Sequence, residues 1–345
     1  MGENIWLWVG FNAFVIAMLM LDLVVFNRQA HEIKLRESLV WTAVWICMAL
    51  SFAGIIYYLQ LHPEHGIKLW GPSKRPAIEF LTGYLIEKSL STDNLFVFLL
   101  IFSYFRIEPK YQHRVLFWGI LGALVMRALF IGAGIVLIHR FEWIMYVFGA
   151  FLIYTGVKMA FGQDEEVDPG KNPVYRLFRR WMDTSHSTGH GRFFVRVDGR
   201  LRFTPIFVVL LVVETTDVIF ALDSIPAVLA VSTDPFIVFS SNVFAILGLR
   251  ALYFALAGMM QIFHHLHYGL SLILAFVGVK MIIKMGLPMP GDRPNLHYEI
   301  PTGWALGAIG AVLALSIIAS YIWPEKEKPA QPGEIKTKKA VGDGT

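Results

Sequence analysis

Two apolar stretches of the chain, residues 77–104 and 203–231, carry acidic residues where a helix in lipid would normally carry none. A carboxylate at the centre of a bilayer costs about 3 kcal/mol, so cations, protons or hydrogen bonds must compensate for it. Carboxylate, amide and hydroxyl oxygens are the ligands that hard divalent cations prefer, which favours Mn²⁺, Mg²⁺ or Ca²⁺ over Cu²⁺ or Zn²⁺. The residues predicted to ligate a cation are Glu87, Asp93, Asn94, Glu214, Asp217, Asp223 and Ser224.

The spacing of the acids places a condition on the helices that carry them. In each stretch two acids lie six positions apart, as Asp217 and Asp223 do, and such side chains point about 120° apart on a regular helix. All the acids of one helix therefore converge only where that helix is distorted. Pro226 predicts a distortion in the second stretch, because proline removes the hydrogen bond to the carbonyl of Leu222. The freed carbonyl would be a further cation ligand.

Three more charged residues are predicted as secondary members of the site. Arg127 and Arg250 lie in the middle of apolar stretches and need anionic partners, so we expect each to pair with the acids above. Asp22, near the end of the first apolar stretch, fits a structural and a functional role equally well. A purely structural network of ion pairs remains the alternative interpretation of all these residues.

The elements that position these residues are apolar stretches of the length that a helix needs to cross a bilayer, about 20 residues. Of the 345 residues 56% are apolar and 16% charged, against about 25% charged in soluble proteins. This composition excludes an ordinary soluble enzyme, no Walker A sequence is present, and we expect neither enzymatic activity nor a tightly bound cofactor. The sequence predicts an all-α polytopic membrane protein with spans near 5–26, 39–61, 77–104, 115–138, 142–161, 203–231, 237–259, 268–286 and 301–323.

Loop charges predict the orientation of these nine spans. Lys and Arg number 19 in the loops on one side and 5 in the loops on the other, which predicts a periplasmic N-terminus and a cytoplasmic C-terminus. The net charge of +4 is explained by these loops rather than by nucleic-acid binding. Residues 1–323 form the predicted membrane domain, 162–202 a cytoplasmic loop and 324–345 a disordered cytoplasmic tail. The end of that loop predicts a β-hairpin around Asp198-Gly199.

The chain also repeats itself weakly. Arg127-Ala-Leu-Phe recurs as Arg250-Ala-Leu-Tyr, and Gly156-Val-Lys-Met recurs as Gly278-Val-Lys-Met. Upstream, Glu87 followed by Asp93-Asn94 recurs as Asp217 followed by Asp223-Ser224 at the same spacing. Each copy contains three spans, and an odd number of spans makes the two copies face opposite ways. This is the inverted repeat of secondary transporters, in which the substrate site lies near the midplane between the copies. The predicted copies are residues 77–161 and 203–286.

Five motifs resemble the TerC family of bacterial integral membrane proteins, and the similarity is closest to its Alx branch. They are the segments 83–88, 93–97, 214–226, 233–237 and 244–250. The resemblance implies a fold similar to the LysE superfamily and export of manganese across the bacterial inner membrane. It also implies that the acids Glu87, Asp93, Glu214, Asp217, Asp223 and Asp22 correspond to acidic residues of the family.

The function expected from these observations is export of a divalent cation, with Mn²⁺ as the transported substrate, by alternating access at a midplane carboxylate site. The proton gradient or the membrane potential would supply the energy, with protons as a candidate coupling ion. The expected partners are the lipid bilayer and the divalent cation, and no nucleic acid. The alternative is a membrane scaffold, or a tellurium-resistance or redox-modulating accessory protein, with the acids in structural ion pairs. Redox modulation is hard to support physically, because Cys47 is the single cysteine of the chain.

Overall fold

The computed structural model of the chain is a bundle of helices with one small β-hairpin. It describes residues 5–27, 35–62, 75–105, 107–141, 143–161, 192–197, 200–257, 266–285 and 300–322. The predicted tail 324–345 and most of the predicted loop 162–202 lie outside these ranges.

A helix lies at each of the nine predicted spans, and one span consists of two short helices that meet at Gly248. Seven of the spans among the described residues are long and apolar enough to cross a membrane. The predicted class, an all-α polytopic membrane protein, is therefore confirmed. The helices are α1 (Ile5–Asn27), α2 (Leu35–Leu61), α3 (Pro76–Tyr104), α4 (Pro109–Arg140), α5 (Ile144–Phe161), α6 (Pro205–Leu229), α7 (Pro235–Leu247), α8 (Leu249–Ala257), α9 (Leu266–Met285) and α10 (Thr302–Ile322).

The predicted hairpin is present immediately before α6. Strands β1 (Phe194–Val197) and β2 (Arg200–Phe203) are antiparallel, with Phe194 opposite Phe203. The two predicted turn residues, 198 and 199, lie outside the described residues. Thr204 joins the hairpin to α6, because its hydroxyl donates to the carbonyls of Arg192 at 2.7 Å and Phe193 at 3.2 Å.

The centre of the bundle is formed by α3, α4, α6 and α7. Helix α4 packs against α6, α3 packs against both α6 and α7, and the residues of α7 are buried along nearly its whole length. Helices α5 and α9 pack tightly against each other beside this centre. Helices α1, α2 and α10 lie on the outside and contact the inner helices along one face. Glu87 of α3, Arg127 of α4 and Asp217 of α6 are consequently buried within the protein.

The contact between α5 and α9 is reciprocal. A Cβ added to Gly156 would lie 2.7 Å from the carbonyl oxygen of Ser271, and one added to Gly278 would lie 2.6 Å from that of Gly149. The two glycines are the ones that the sequence repeat aligns, and each packs against the same relative position of the other helix. Such mutual packing of equivalent positions is what a two-fold relation between the two copies requires. It supports the predicted three-plus-three inverted repeat, which as a whole remains a prediction.

Helix α6 differs from the expectation at Pro226. The chain stays helical through this proline to Leu229, at the position where a distortion was predicted. Pro226 lies in the last turn of the helix, so only a few helical residues follow the hydrogen bond that proline removes.

Candidate functional site

The centre of the candidate site is Arg127 of α4, whose side chain is 2% exposed. Its guanidinium forms an ion pair with Glu87 of α3, which is fully buried, and its Nη2 lies 3.8 Å from Oδ1 of Asp217 on α6. The pairing predicted for Arg127 with the acidic motif residues is therefore present. One arginine joins a carboxylate from each of the two predicted copies.

Neutral polar groups also contact the guanidinium of Arg127, whose Nε has no hydrogen-bond partner among the described residues. Its Nη1 donates to Oγ of Ser224 and to Oδ1 of Asn242, each at 3.1 Å. The amide of Asn242 is oriented by its Nδ2, which donates to the carbonyl of Val238 at 2.9 Å. Ser91 donates to Oε1 of Glu87 at 3.0 Å. The network thus connects four helices, α3, α4, α6 and α7.

The two acids that contact Arg127 are not fully satisfied. Within the described part of the chain, Oε2 of Glu87 and Oδ2 of Asp217 are buried and have no hydrogen-bond partner. Two carboxylates and one guanidinium also leave one net negative charge when both acids are ionised. Buried polar atoms without partners are rare and costly. Two such oxygens beside an excess negative charge are groups that a cation or a proton would satisfy.

The basic residue of α3, Lys88, is an electrostatic neighbour of Glu87 but makes its direct contact elsewhere. The ammonium of Lys88 donates to the carbonyl of Ala245 on α7 at 3.2 Å. It lies next to Gly248, where an added Cβ would be 3.0 Å from Nζ. Lys88 therefore ties α3 to the junction of α7 and α8.

A third carboxylate, Glu214, lies one turn before Asp217 on α6 and is half-buried. It packs against the backbone of α4 at Gly122, so closely that a Cβ at this position would overlap the carboxylate. The absence of a side chain at Gly122 therefore makes the space that Glu214 occupies.

Asp223, the fourth of the predicted acidic ligands, contacts α5 rather than α4. Its Oδ1 accepts a hydrogen bond from Thr155 of α5 at 3.4 Å, and the ammonium of Lys158 is an electrostatic neighbour. The acids of α6 do not all meet at one point, because Asp217 contacts Arg127 of α4 whereas Asp223 contacts α5. Glu214, Asp217 and Asp223 instead lie at three levels that span about 13 Å of the helix axis.

The remaining predicted residues fall in two groups. Asn94 and Arg250 are buried, and Arg250 lines a separate cavity near the hairpin, so its predicted pairing with the acidic motifs remains a prediction. Asp93 and Asp22 lie on α3 and α1, but their side chains are outside the described part of the structure.

Among the described residues no group of three or more His, Cys, Asp or Glu side chains is close enough together to hold a metal ion. The described site therefore consists of the carboxylates of Glu87 and Asp217, paired with Arg127. Glu214 and Asp223 lie on α6 on either side of Asp217. Sequence reasoning missed Gly122, Thr155 and Asn242. Asn242 alone had a signal, the polar run Ser240-Ser241-Asn242 within an apolar helix.

Comparison with known proteins agrees with the helical membrane fold. Residues 73–328 match the family described as "Integral membrane protein TerC family". A membrane protein of Myxococcus xanthus is 48% identical over 94% of this chain and 96% of its own length. A protein of Escherichia coli strain K12, named "Putative membrane-bound redox modulator Alx", is 44% identical over 90% of this chain and 93% of its own. No solved structure matches the chain.

Proposed function

The chain belongs to the TerC family of integral membrane proteins, and we propose that it exports a divalent cation, Mn²⁺, from the cytoplasm across the bacterial inner membrane. The observation that carries this proposal is the pair Glu87 and Asp217. Both are buried, both contact Arg127, and each has one oxygen without a partner among the described residues. A network selected only for stability would leave neither the excess charge nor the open oxygens.

The path that we propose follows α6. Glu214, Asp217 and Asp223 lie three and six residues apart, which corresponds to steps of about 4.5 Å and about 9 Å along the helix axis. A cation passing from Glu214 to Asp223 would meet a carboxylate at each level, with Glu87 added at the central one. Asp93 on α3 is proposed as a further ligand through the sequence repeat.

Arg127 has a defined part in this mechanism. Without a bound metal its guanidinium neutralises one of the two central carboxylates, which keeps the buried network folded. A divalent cation between the open oxygens of Glu87 and Asp217 would add the positive charge that the network lacks. Alternating access then requires the two copies of the repeat to rock about this level. Protons, which satisfy the same oxygens, are the proposed coupling ion.

Transport by the purified protein is the direct test. The full-length protein is reconstituted into vesicles that contain a fluorophore quenched by Mn²⁺, and the rate of quenching is measured against external Mn²⁺. We expect saturable quenching that Glu87→Gln reduces by at least tenfold, since the substitution removes a charged ligand. Glu87→Gln leaves Arg127 paired with Asp217, so the variant should still fold.

The matched control is Glu108→Gln. Glu108 is exposed at the start of α4, where it pairs with Lys110 at 2.6 Å. This substitution makes the same chemical change outside the bundle, and we expect unchanged quenching. Quenching that does not saturate, or that is equal in Glu87→Gln and in the unmodified protein, would contradict the proposal.

A second candidate function comes from the name of the Escherichia coli relative, which describes a redox modulator. Cys47 of α2 is exposed and is the only cysteine, so this chain cannot form an internal disulfide. A thiol-based role would have to use Cys47 with an external partner. Cys47→Ser separates the two functions, because it should leave Mn²⁺ transport unchanged and would abolish a thiol-dependent activity.

A further inference from the structure

A cavity lined by basic and aromatic residues lies between the start of α4, the β-hairpin and α8. Its volume is about 460 Å³, within the range of small-molecule sites. Its described lining contains no acidic residue. The basic residues that line it are His113, Arg114, Arg192 and Arg250.

Each of these basic residues is held in place by a different part of the fold. His113 and Arg114 belong to the second turn of α4, and Arg250 lies in α8 with 3% of its surface exposed. Arg192 precedes β1, and its carbonyl accepts the hydroxyl of Thr204 at 2.7 Å. Three guanidinium groups and one imidazole therefore line a single cavity, and their N–H groups are donors that the oxygens of a bound anion accept.

The other walls of the cavity are aromatic. Trp118 and Phe193 meet edge to face with ring centroids 6.4 Å apart, and Phe193 packs in turn on Phe207 of α6 at 6.3 Å. Trp118 is 46% exposed near the start of a membrane-spanning helix, which is the position of residues that lie at the level of lipid headgroups. The cavity is therefore lined both by basic residues and by aromatic residues at the level of the lipid headgroups.

We propose that this cavity binds a phosphate-bearing anion, and that its source is the headgroup of an anionic phospholipid. Arginine binds phosphate oxygens through paired N–H donors, and basic pockets between transmembrane helices bind such headgroups. The described lining contains none of the acids of the proposed cation path, so the cavity is separate from that path. Bound there, a headgroup would tie α4, α8 and the hairpin together.

Lipid-dependent stability of the full-length protein tests this site. Protein freed of lipid in a neutral detergent is titrated with short-chain phosphatidylglycerol, short-chain phosphatidylcholine or inorganic phosphate, and the thermal unfolding midpoint is followed. We expect saturable stabilisation by phosphatidylglycerol and none by phosphatidylcholine. In Arg114→Gln/Arg192→Gln the apparent affinity should fall about 25-fold, since each interfacial arginine contributes about fivefold.

Arg140→Gln is the matched control, because Arg140 is exposed at the opposite end of α4. It removes the same charge from the same helix and should bind phosphatidylglycerol as the unmodified protein does. Arg192→Gln alone replaces an exposed side chain and should lower the apparent affinity for phosphatidylglycerol about fivefold. This single variant keeps the test valid if the double variant does not fold.

The three titrations distinguish the sources of the anion. Stabilisation by phosphatidylglycerol alone, lost in the double variant, supports a lipid site. Stabilisation by inorganic phosphate that also depends on Arg114 and Arg192, and that competes with the lipid, supports the phosphate site with a free anion as its source. Equal effects of the two lipids, or an effect of phosphatidylglycerol that both Arg→Gln variants retain, would overturn the proposal.

Discussion

Glu87 and Asp217 occupy equivalent positions in the two predicted copies of the repeat and contact the same guanidinium, that of Arg127. The two acids come from different helices, and both are buried. Only one of the two negative charges is neutralised by this arginine. Oε2 of Glu87 and Oδ2 of Asp217, which have no hydrogen-bond partner among the described residues, are the atoms to which the proposed transport would bring a further cation.

Removal of Arg127 is expected to lower the stability of the whole bundle. Arg127→Ala leaves two buried carboxylates without their counter-charge, and breaking a buried ion pair costs about 3–5 kcal/mol in soluble proteins. We expect a lower yield of monodisperse protein and a lower unfolding midpoint. Arg140→Ala, at the exposed end of the same helix, is the control and should change neither. Normal stability and normal transport in Arg127→Ala would show that the network is dispensable.

Asp223 should behave differently from Arg127, because it lies outside the network that joins α3, α4 and α6. Asp223→Asn keeps an acceptor for Thr155, so the folded amount should be normal. Loss of a charged ligand should weaken Mn²⁺ binding roughly 10- to 150-fold, measured as the concentration that half-saturates vesicle quenching. The repeat predicts a similar loss for Asp93→Asn.

The control for Asp223→Asn is Asp234→Asn. Asp234 caps α7 by accepting from the amides of Phe236 and Ile237, and asparagine caps a helix equally well. The same chemical change outside the path should leave transport intact. Wild-type half-saturation in Asp223→Asn at normal expression would remove this residue from the path.

Sequence alone was sufficient for the spans and for the charged partners of Arg127. Long apolar runs determine which segments are helical in lipid, and a buried arginine must find carboxylates wherever the chain supplies them. The separation of Asp223 from Asp217 could not be predicted, because it depends on whether a proline breaks a helix. That outcome depends on where the helix ends, and Leu229 is only three residues beyond Pro226.

The contribution of glycines was also hidden from sequence reasoning. Several glycines lie in the predicted spans, and all of them fit close helix packing equally well. Gly122 faces Glu214, whereas Gly132 on the same helix has nothing within 4 Å of an added Cβ. Only the rotation of α4 against α6 decides between these two environments, and local sequence carries no signal of it.

The orientation of the chain remains a prediction with a simple test. The excess of Lys and Arg in one set of loops, 19 against 5, predicts a cytoplasmic C-terminus. A C-terminal fluorescent protein that matures only in the cytoplasm should fluoresce, and a C-terminal alkaline phosphatase should be inactive. Phosphatase activity at the C-terminus would reverse the assignment of both faces of the bundle.

Gly122→Ala is expected to impair transport without touching an acid. An added Cβ would overlap the carboxylate of Glu214 and force it to move. We expect the vesicle quenching rate to fall as far as it does in Glu214→Gln. The double variant should be no worse than either single one, because both act on the same group. Additive losses would mean that Gly122 acts through packing alone.

Gly132→Ala is the control for this prediction. It adds the same methyl group to the same helix, in open space. Alanine forms helices more readily than glycine by about 1 kcal/mol, so the stability of this variant should be unchanged or slightly higher. Its transport rate should equal that of the unmodified protein.

The reciprocal glycines of α5 and α9 give the repeat a test of its own. An alanine at Gly156 would lie 2.7 Å from the carbonyl of Ser271, and one at Gly278 would lie 2.6 Å from that of Gly149. Both contacts are with backbone atoms, which cannot rotate away, and overpacking of this kind costs about 1–3 kcal/mol. If the copies are related by two-fold symmetry, Gly156→Ala and Gly278→Ala should lower the unfolding midpoint by similar amounts. Gly310→Ala on α10, where an added Cβ meets nothing within 4 Å, should leave the midpoint unchanged, and a neutral effect at only one of the two paired positions would contradict the symmetry.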